Sequence, residues 1–208
     1  MPRINAKGMA EMIALPGYAQ IPILAAQKYP SQGPAQFRRP YYAPAIDAIR
    51  NAYQSNDRGA TVRDAREAIR GLKVASRREN LNRVLESFGN SDQLQRQLTI
   101  ARKPRIIANL GTVELRASPD IVAIDEAGAT KLLYYHCKST AYDQEAAKRL
   151  IEISHWLCEE NEIDIAPRDI EVIDLSNGTL HRIRNRREST VRQMKQTAKV
   201  IASLWDDL

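Results

Sequence analysis

The sequence predicts an α/β protein, a mixed central sheet flanked by helices, with a proline-rich N-terminal arm. Three observations lead there. Residues 61–90 place apolar side chains at helical intervals. Residues 105–138 switch to the shorter period of strands. Residues 142–161 return to a helical pattern, and a hairpin and a last amphipathic helix follow.

The arm comes first. Residues 1–44 hold seven of the ten prolines. That spacing leaves no room for a long helix and predicts an irregular segment with short helical turns, such as 23–27. Its apolar residues predict packing on the core or on a second copy. A short helix is expected over 45–53, after Pro44. Thr61 is placed to cap the next, where Val62, Ala65, Ile69 and Leu72 recur on one face. Leu81, Val84, Leu85 and Phe88 mark another helix, stopped by Gly89 and Asn90. Residues 93–101 are expected to add a turn or two.

Strands are expected at 105–109, 112–116, 121–124 and 131–138, with turns at Gly111 and over 125–128. The helix over 142–161 can bury Ala147, Leu150, Ile151, Ser154 and Leu157. Residues 169–175 and 179–184 read as strands joined by the turn Ser176-Asn177-Gly178. The last helix sets Val191, Met194, Ala198, Ile201 and Trp205 on one stripe.

With 208 residues, of which 43% are hydrophobic, the chain can bury a sizeable core rather than remain disordered. The net charge of +6 favours a polyanionic partner. Two cysteines, Cys137 and Cys158, show neither CxxC pairing nor zinc spacing, which suits a reducing compartment. No apolar run is long enough to span a bilayer, and Glu11 interrupts the short apolar run near the N-terminus. The expected setting is the cytoplasm, without a membrane partner.

The stretch 113–139 carries the chemistry. Pro119-Asp120 opens one apolar strand, and the next ends in His136-Cys137-Lys138. Residues two apart on a strand share a face, so His136 and Lys138 are expected to project together, near Asp120. An acid, a ligand-type residue and a lysine at a sheet edge fit a metal-assisted phosphodiester site. Each also has a plainer use: Asp120 as a turn residue, Lys138 as a solvated charge, His136 as a satisfied core histidine. Glu114 is expected to be solvated or ion-paired. His155, Trp156 and Cys158 read as helix packing, and His181 as surface.

This order of elements, with Pro119-Asp120 and His136-Cys137-Lys138 at those points, resembles the PD-(D/E)XK superfamily of restriction-endonuclease-like nucleases over about residues 60–186. The resemblance implies residues 61–208 as a nuclease-like core with a basic C-terminal helix, after an arm and short helix over 1–60. It implies Asp120 and His136 as side-chain metal ligands, Cys137 as a carbonyl ligand, and Lys138 as the residue that positions or activates water. The divalent ion would be magnesium or manganese. His136 stands where the family has Asp or Glu, and imidazole suits softer ions than magnesium. Three alternatives follow: a softer ion, a substitute carboxylate, or a domain that no longer cuts. Glu79 and Glu86 are the upstream candidates for a further acid. Gln144 matches the Gln of a Gln-x-x-x-Tyr pattern found in some members, but Lys148 replaces its Tyr.

Basic residues supply the expected grip. From Arg182 to Lys199 there are seven Lys or Arg and one acid, Glu188. Arg182, Arg184, Arg186 and Arg187 are the expected phosphate contacts. Arg38-Arg39-Pro40-Tyr41-Tyr42 joins cations to aromatic rings, for packing or for gripping a strand. The leading expectation is a metal-dependent nuclease acting on DNA rather than RNA, with a homodimer as an option. The alternative is a catalytically silent nucleic-acid-binding or protein-assembly module with the same fold. A third makes the arm a protein-binding segment, removable over 1–44 without unfolding the rest.

Overall fold

The computed structural model describes residues 1–29 and 41–208. It is a mixed α/β structure with two mixed sheets between helices. The N-terminal segment forms β1 (Arg3–Asn5), α1 (Ala6–Met12) and α2 (Gly17–Lys28). Then come α3 (Ala43–Gln54), α4 (Arg58–Arg70) and α5 (Ala75–Gly89). A 3-10 turn at Asp92–Gln95 leads to β2 (Leu98–Ile100), β3 (Ile106–Leu110), β4 (Val113–Ala117), β5 (Ile121–Asp125) and β6 (Thr130–His136). The chain ends with α6 (Gln144–Glu160), β7 (Ile170–Asp174), β8 (Thr179–His181) and α7 (Glu188–Asp207).

The larger sheet has the order β2-β5-β6-β7-β8. β5 and β6 are antiparallel, and α6 carries the chain to β7, which is parallel to β6. Both faces of this sheet are covered. Val122, Leu132, Tyr134, Ile170 and Val172 face the core shared with α1, α6 and α7. Ile121, Ala123, Leu133, Tyr135 and Ile173 face the core shared with α3, α4 and α5. That two-sided burial explains why β6 reads as an unbroken apolar run. In the second core Leu81, Val84, Leu85 and Phe88 are buried, as their spacing predicts. Truncating Phe88 to alanine there would cost ~3–5 kcal/mol.

The smaller sheet has the order β1-β4-β3. Asn161 at the end of α6 clips the backbone of Ile107 on β3, accepting from its N–H at 3.4 Å and donating to its carbonyl at 3.1 Å. Among the described residues no helix is long and apolar enough to cross a membrane.

Several expectations are corrected. The arm is not irregular over residues 1–29. β1 pairs in parallel with β4, and Ile4, Met9, Met12 and Leu24 lie fully buried in the first core. Pro22 sits inside α2, which runs for 12 residues around it. Thr61 does not cap α4; Asp57 does, its carboxylate accepting from Ala60 N–H at 2.8 Å. Residues 98–100 form a strand rather than a helical turn, and the β-structure divides into two sheets. Of the 38–42 stretch, only Tyr41 and Tyr42 lie within the described residues.

Candidate functional site

A concave pocket of about 430 Å³ opens where β6 ends and β5 begins. Asp120, His136, Cys137 and Lys138 all line it. These four share one pocket lining with others that the sequence did not single out: Lys7 of α1, Asp47 and Arg50 of α3, and Lys103. Arg50 and Lys7 had no signal, because helical spacing does not say which exposed cation a fold will gather. Lys103 had one, the dense cation run 102–105 before β3.

Asp120 is fixed from both sides. Its N–H donates to the Leu133 carbonyl at 2.9 Å, and its carboxylate accepts from Tyr135 N–H at 2.7 Å. Burial raises its pKa above the ordinary value, while the Tyr135 N–H, Lys7, Lys103 and Arg50 pull it down. Arg50 spans the rim, donating to Asp47 at 2.9 Å and to the Asp120 carbonyl at 3.0 Å. Partial desolvation, and then Arg50, lower the pKa of Lys103.

His136 is 3% exposed and stacks on Tyr142 with ring centroids 4.6 Å apart. Its Nε2 lies 2.8 Å from the Thr140 carbonyl, an oxygen that can only accept, so Nε2 carries the proton. The lone pair is left on Nδ1, which is buried without a partner. Burial lowers the pKa of His136 and keeps it neutral, and Lys7 and Lys138 push the same way. On the neighbouring strand Asp174 stands in register with it. Burial alone would raise Asp174, but the N–H groups of Tyr142 and Ser176 outweigh that and hold it below the ordinary value.

Cys137 is buried, and burial pushes its thiol up to about 12, so it is no nucleophile. Its carbonyl accepts from the Arg83 guanidinium of α5 at 2.5 Å. Lys138 is exposed, and neither it, Lys7 nor Lys103 forms an ion pair with a described residue.

These residues do not fit a divalent metal ion. Asp120 spends one oxygen on Tyr135 N–H and keeps one, His136 Nε2 is a donor and leaves only Nδ1, and the Cys137 carbonyl faces a guanidinium, so two unengaged donor atoms remain where a divalent ion needs more. The second acid of the pocket, Asp47, is engaged by Arg50. Glu86 pairs with Arg66, Glu79 is exposed, and Glu114 pairs with Arg116 and Arg3; none of the three lines the pocket. Among the described residues no three His, Cys, Asp or Glu side chains converge as an ion-binding group. A hard cation wants several oxygen ligands, whereas here the surplus charge is positive. What the pocket suits is an anion.

The predicted arginines lie elsewhere. Arg182 donates to the buried Glu171 at 2.6 Å, a carboxylate that Arg96 also binds through two hydrogen bonds. Arg187 holds the buried Glu152 and reaches Glu145. Arg186 bridges Glu159 and Glu188. Arg184 alone of the four is exposed without an ion pair among the described residues. Lys148, standing for the Tyr of the helix pattern, pairs with Glu145.

No protein-family model matches this chain, and no curated protein is detectably similar to it.

Proposed function

We propose that this protein binds nucleic acid, taking phosphate in the pocket between β5, β6 and α3, without metal-dependent cleavage. The carrying observation is the donor set. Lys7, Arg50 and Lys103 bear on Asp120 and Lys138 shares their pocket, while one oxygen each of Asp120 and Asp47 and the Cys137 carbonyl already hold hydrogen bonds. The net charge of +6 supports a polyanion. DNA in preference to RNA rests on the resemblance to the nuclease superfamily alone.

Binding of this kind releases counterions, so affinity falls steeply with salt. DNA titrations from about 50 to 200 mM salt should show that slope, and Lys103→Ala and Lys138→Ala should each flatten it by about one ion. A chelator should change nothing. A chain that fails to bind at low salt, or variants with unaltered slopes, would end this reading.

Hydrolysis is the second reading, and one observation favours it: Asp120, Cys137 and Lys138 share a single pocket, as the resemblance implies for a nuclease. Plasmid incubated with Mg²⁺ or Mn²⁺ decides between the two. Cutting that Asp120→Ala and Lys138→Ala both abolish would establish it; intact plasmid with either ion leaves binding alone.

A further inference from the structure

The pocket does not end at Asp120. A second concavity adjoins it, formed by the 103–107 and 116–120 segments, and the two share Lys103, Ser118 and Asp120. Arg105 and Arg116 line the second. Arg105 is exposed and forms no ion pair with a described residue, while Arg116 is held by Glu114. Cations thus line both concavities, Lys138, Lys7 and Lys103 in the first and Lys103 and Arg105 in the second.

Tyr41 also lines the first pocket and is 41% exposed. It is held firmly for a surface ring. Its hydroxyl accepts from Asn80 at 3.2 Å, the Arg77 guanidinium lies 5.5 Å from its centroid, and Tyr42 packs edge-on at 4.9 Å. A fixed aromatic ring loses little entropy when a base stacks on it.

We propose that the two concavities form one track for a single-stranded polynucleotide, with a base on Tyr41 and successive phosphates on Lys103 and Arg105. This rests on the nucleic-acid reading above and names the form of its ligand. A duplex keeps its bases stacked inside and offers a concave wall only backbone. A single strand can turn a base into a pocket of this size while its phosphates follow the cations. Cation groove plus aromatic platform is the combination such binding needs.

Fluorescence anisotropy with labelled oligodeoxyuridylate, oligouridylate and a duplex of matched length tests the track. Both single strands should bind about tenfold tighter than the duplex. Arg105→Glu, in the adjoining concavity, and Tyr41→Ala should each weaken single-strand binding by about tenfold, with Arg105→Glu leaving the thermal unfolding midpoint unchanged. Arg105→Lys should restore most of it. A preference between the two strands identifies the sugar, and either preference supports the track. Duplex bound as tightly as single strand would overturn this inference and leave phosphate binding intact. Strand binding indifferent to Arg105→Glu and Tyr41→Ala would also overturn it. No binding to any of the three would remove both readings together.

Discussion

Asp120 is a carboxylate that its surroundings treat in two ways. Burial favours its neutral form, and the cations around it favour the charged one, with burial ahead. A raised native pKa means the folded state holds a proton that the unfolded chain releases. Stability therefore falls as pH climbs from the unfolded value through the native one, and the deficit is complete once the pH has passed the native value. Asp120→Asn keeps an oxygen for Tyr135 N–H and removes the charge. At pH 7 its unfolding midpoint should be equal to or above that of wild type, and its affinity for DNA should rise several-fold at low salt, by about 3- to 10-fold. A nuclease would instead lose its activity, so DNA titration and plasmid cutting of this one variant part the two readings. A fall in affinity would count against the anion pocket.

His136 gives the opposite slope. Its native pKa lies below 6.5, so below that value the unfolded chain takes up a proton that the folded one resists. Its contribution is fully present above pH 6.5 and is lost as pH falls towards the native value. His155 and His181 are lowered by burial as well and add to the loss. Urea titrations at about pH 7.5 and 5.5 should show wild type losing stability on acidification, and His136→Gln losing measurably less. Equal losses would mean that His136 is not held neutral.

At the scale of elements, periodicity was readable wherever an element buries one stripe or two faces. The helical stripe of α5, the two-faced run of β6 and the stripe of α7 all follow from apolar spacing, and the bounds expected for β6 moved by one or two residues. Ionic partners were not readable. Arg182 and Arg187 look like a free basic cluster in sequence because Glu171 and Glu152, which they bind, lie on β7 and α6. Their charge is spent on covering buried carboxylates. β2 was missed because its three residues are too few to show a period. Pro22 misled in the other direction. A proline inside a helix removes a hydrogen bond, but the burial of Leu24 and Gln20 on the same helix holds α2 together around it. Pro22 is exposed, so Pro22→Ala should stabilise the protein by roughly 1–3 kcal/mol in chemical denaturation. A loss of stability would show that the ring is packed to advantage.

Over the whole molecule, the α/β class was legible and the role of the N-terminus was not. The pairing of β1 with β4 is invisible to any local pattern, because a three-residue strand draws its register from a partner far along the chain. The same holds for the pocket: Lys7, Arg50, Lys103 and Lys138 come from four separate segments. Removing residues 1–16 deletes Ile4, Met9 and Met12 from the first core and leaves Leu115 uncovered. That variant should lose cooperative thermal unfolding and bind a dye for exposed apolar surface. A sharp transition within a few degrees of wild type would restore the removable arm.

The register Arg3↔Glu114 also has a consequence for synthesis. β1 finds its mate only after β4 has been translated. Until then Ile4, Met9 and Met12 are greasy and unclaimed, and closing so wide a loop is slow compared with forming a helix. A nascent chain of this protein should therefore be a chaperone client between the synthesis of β1 and that of β4.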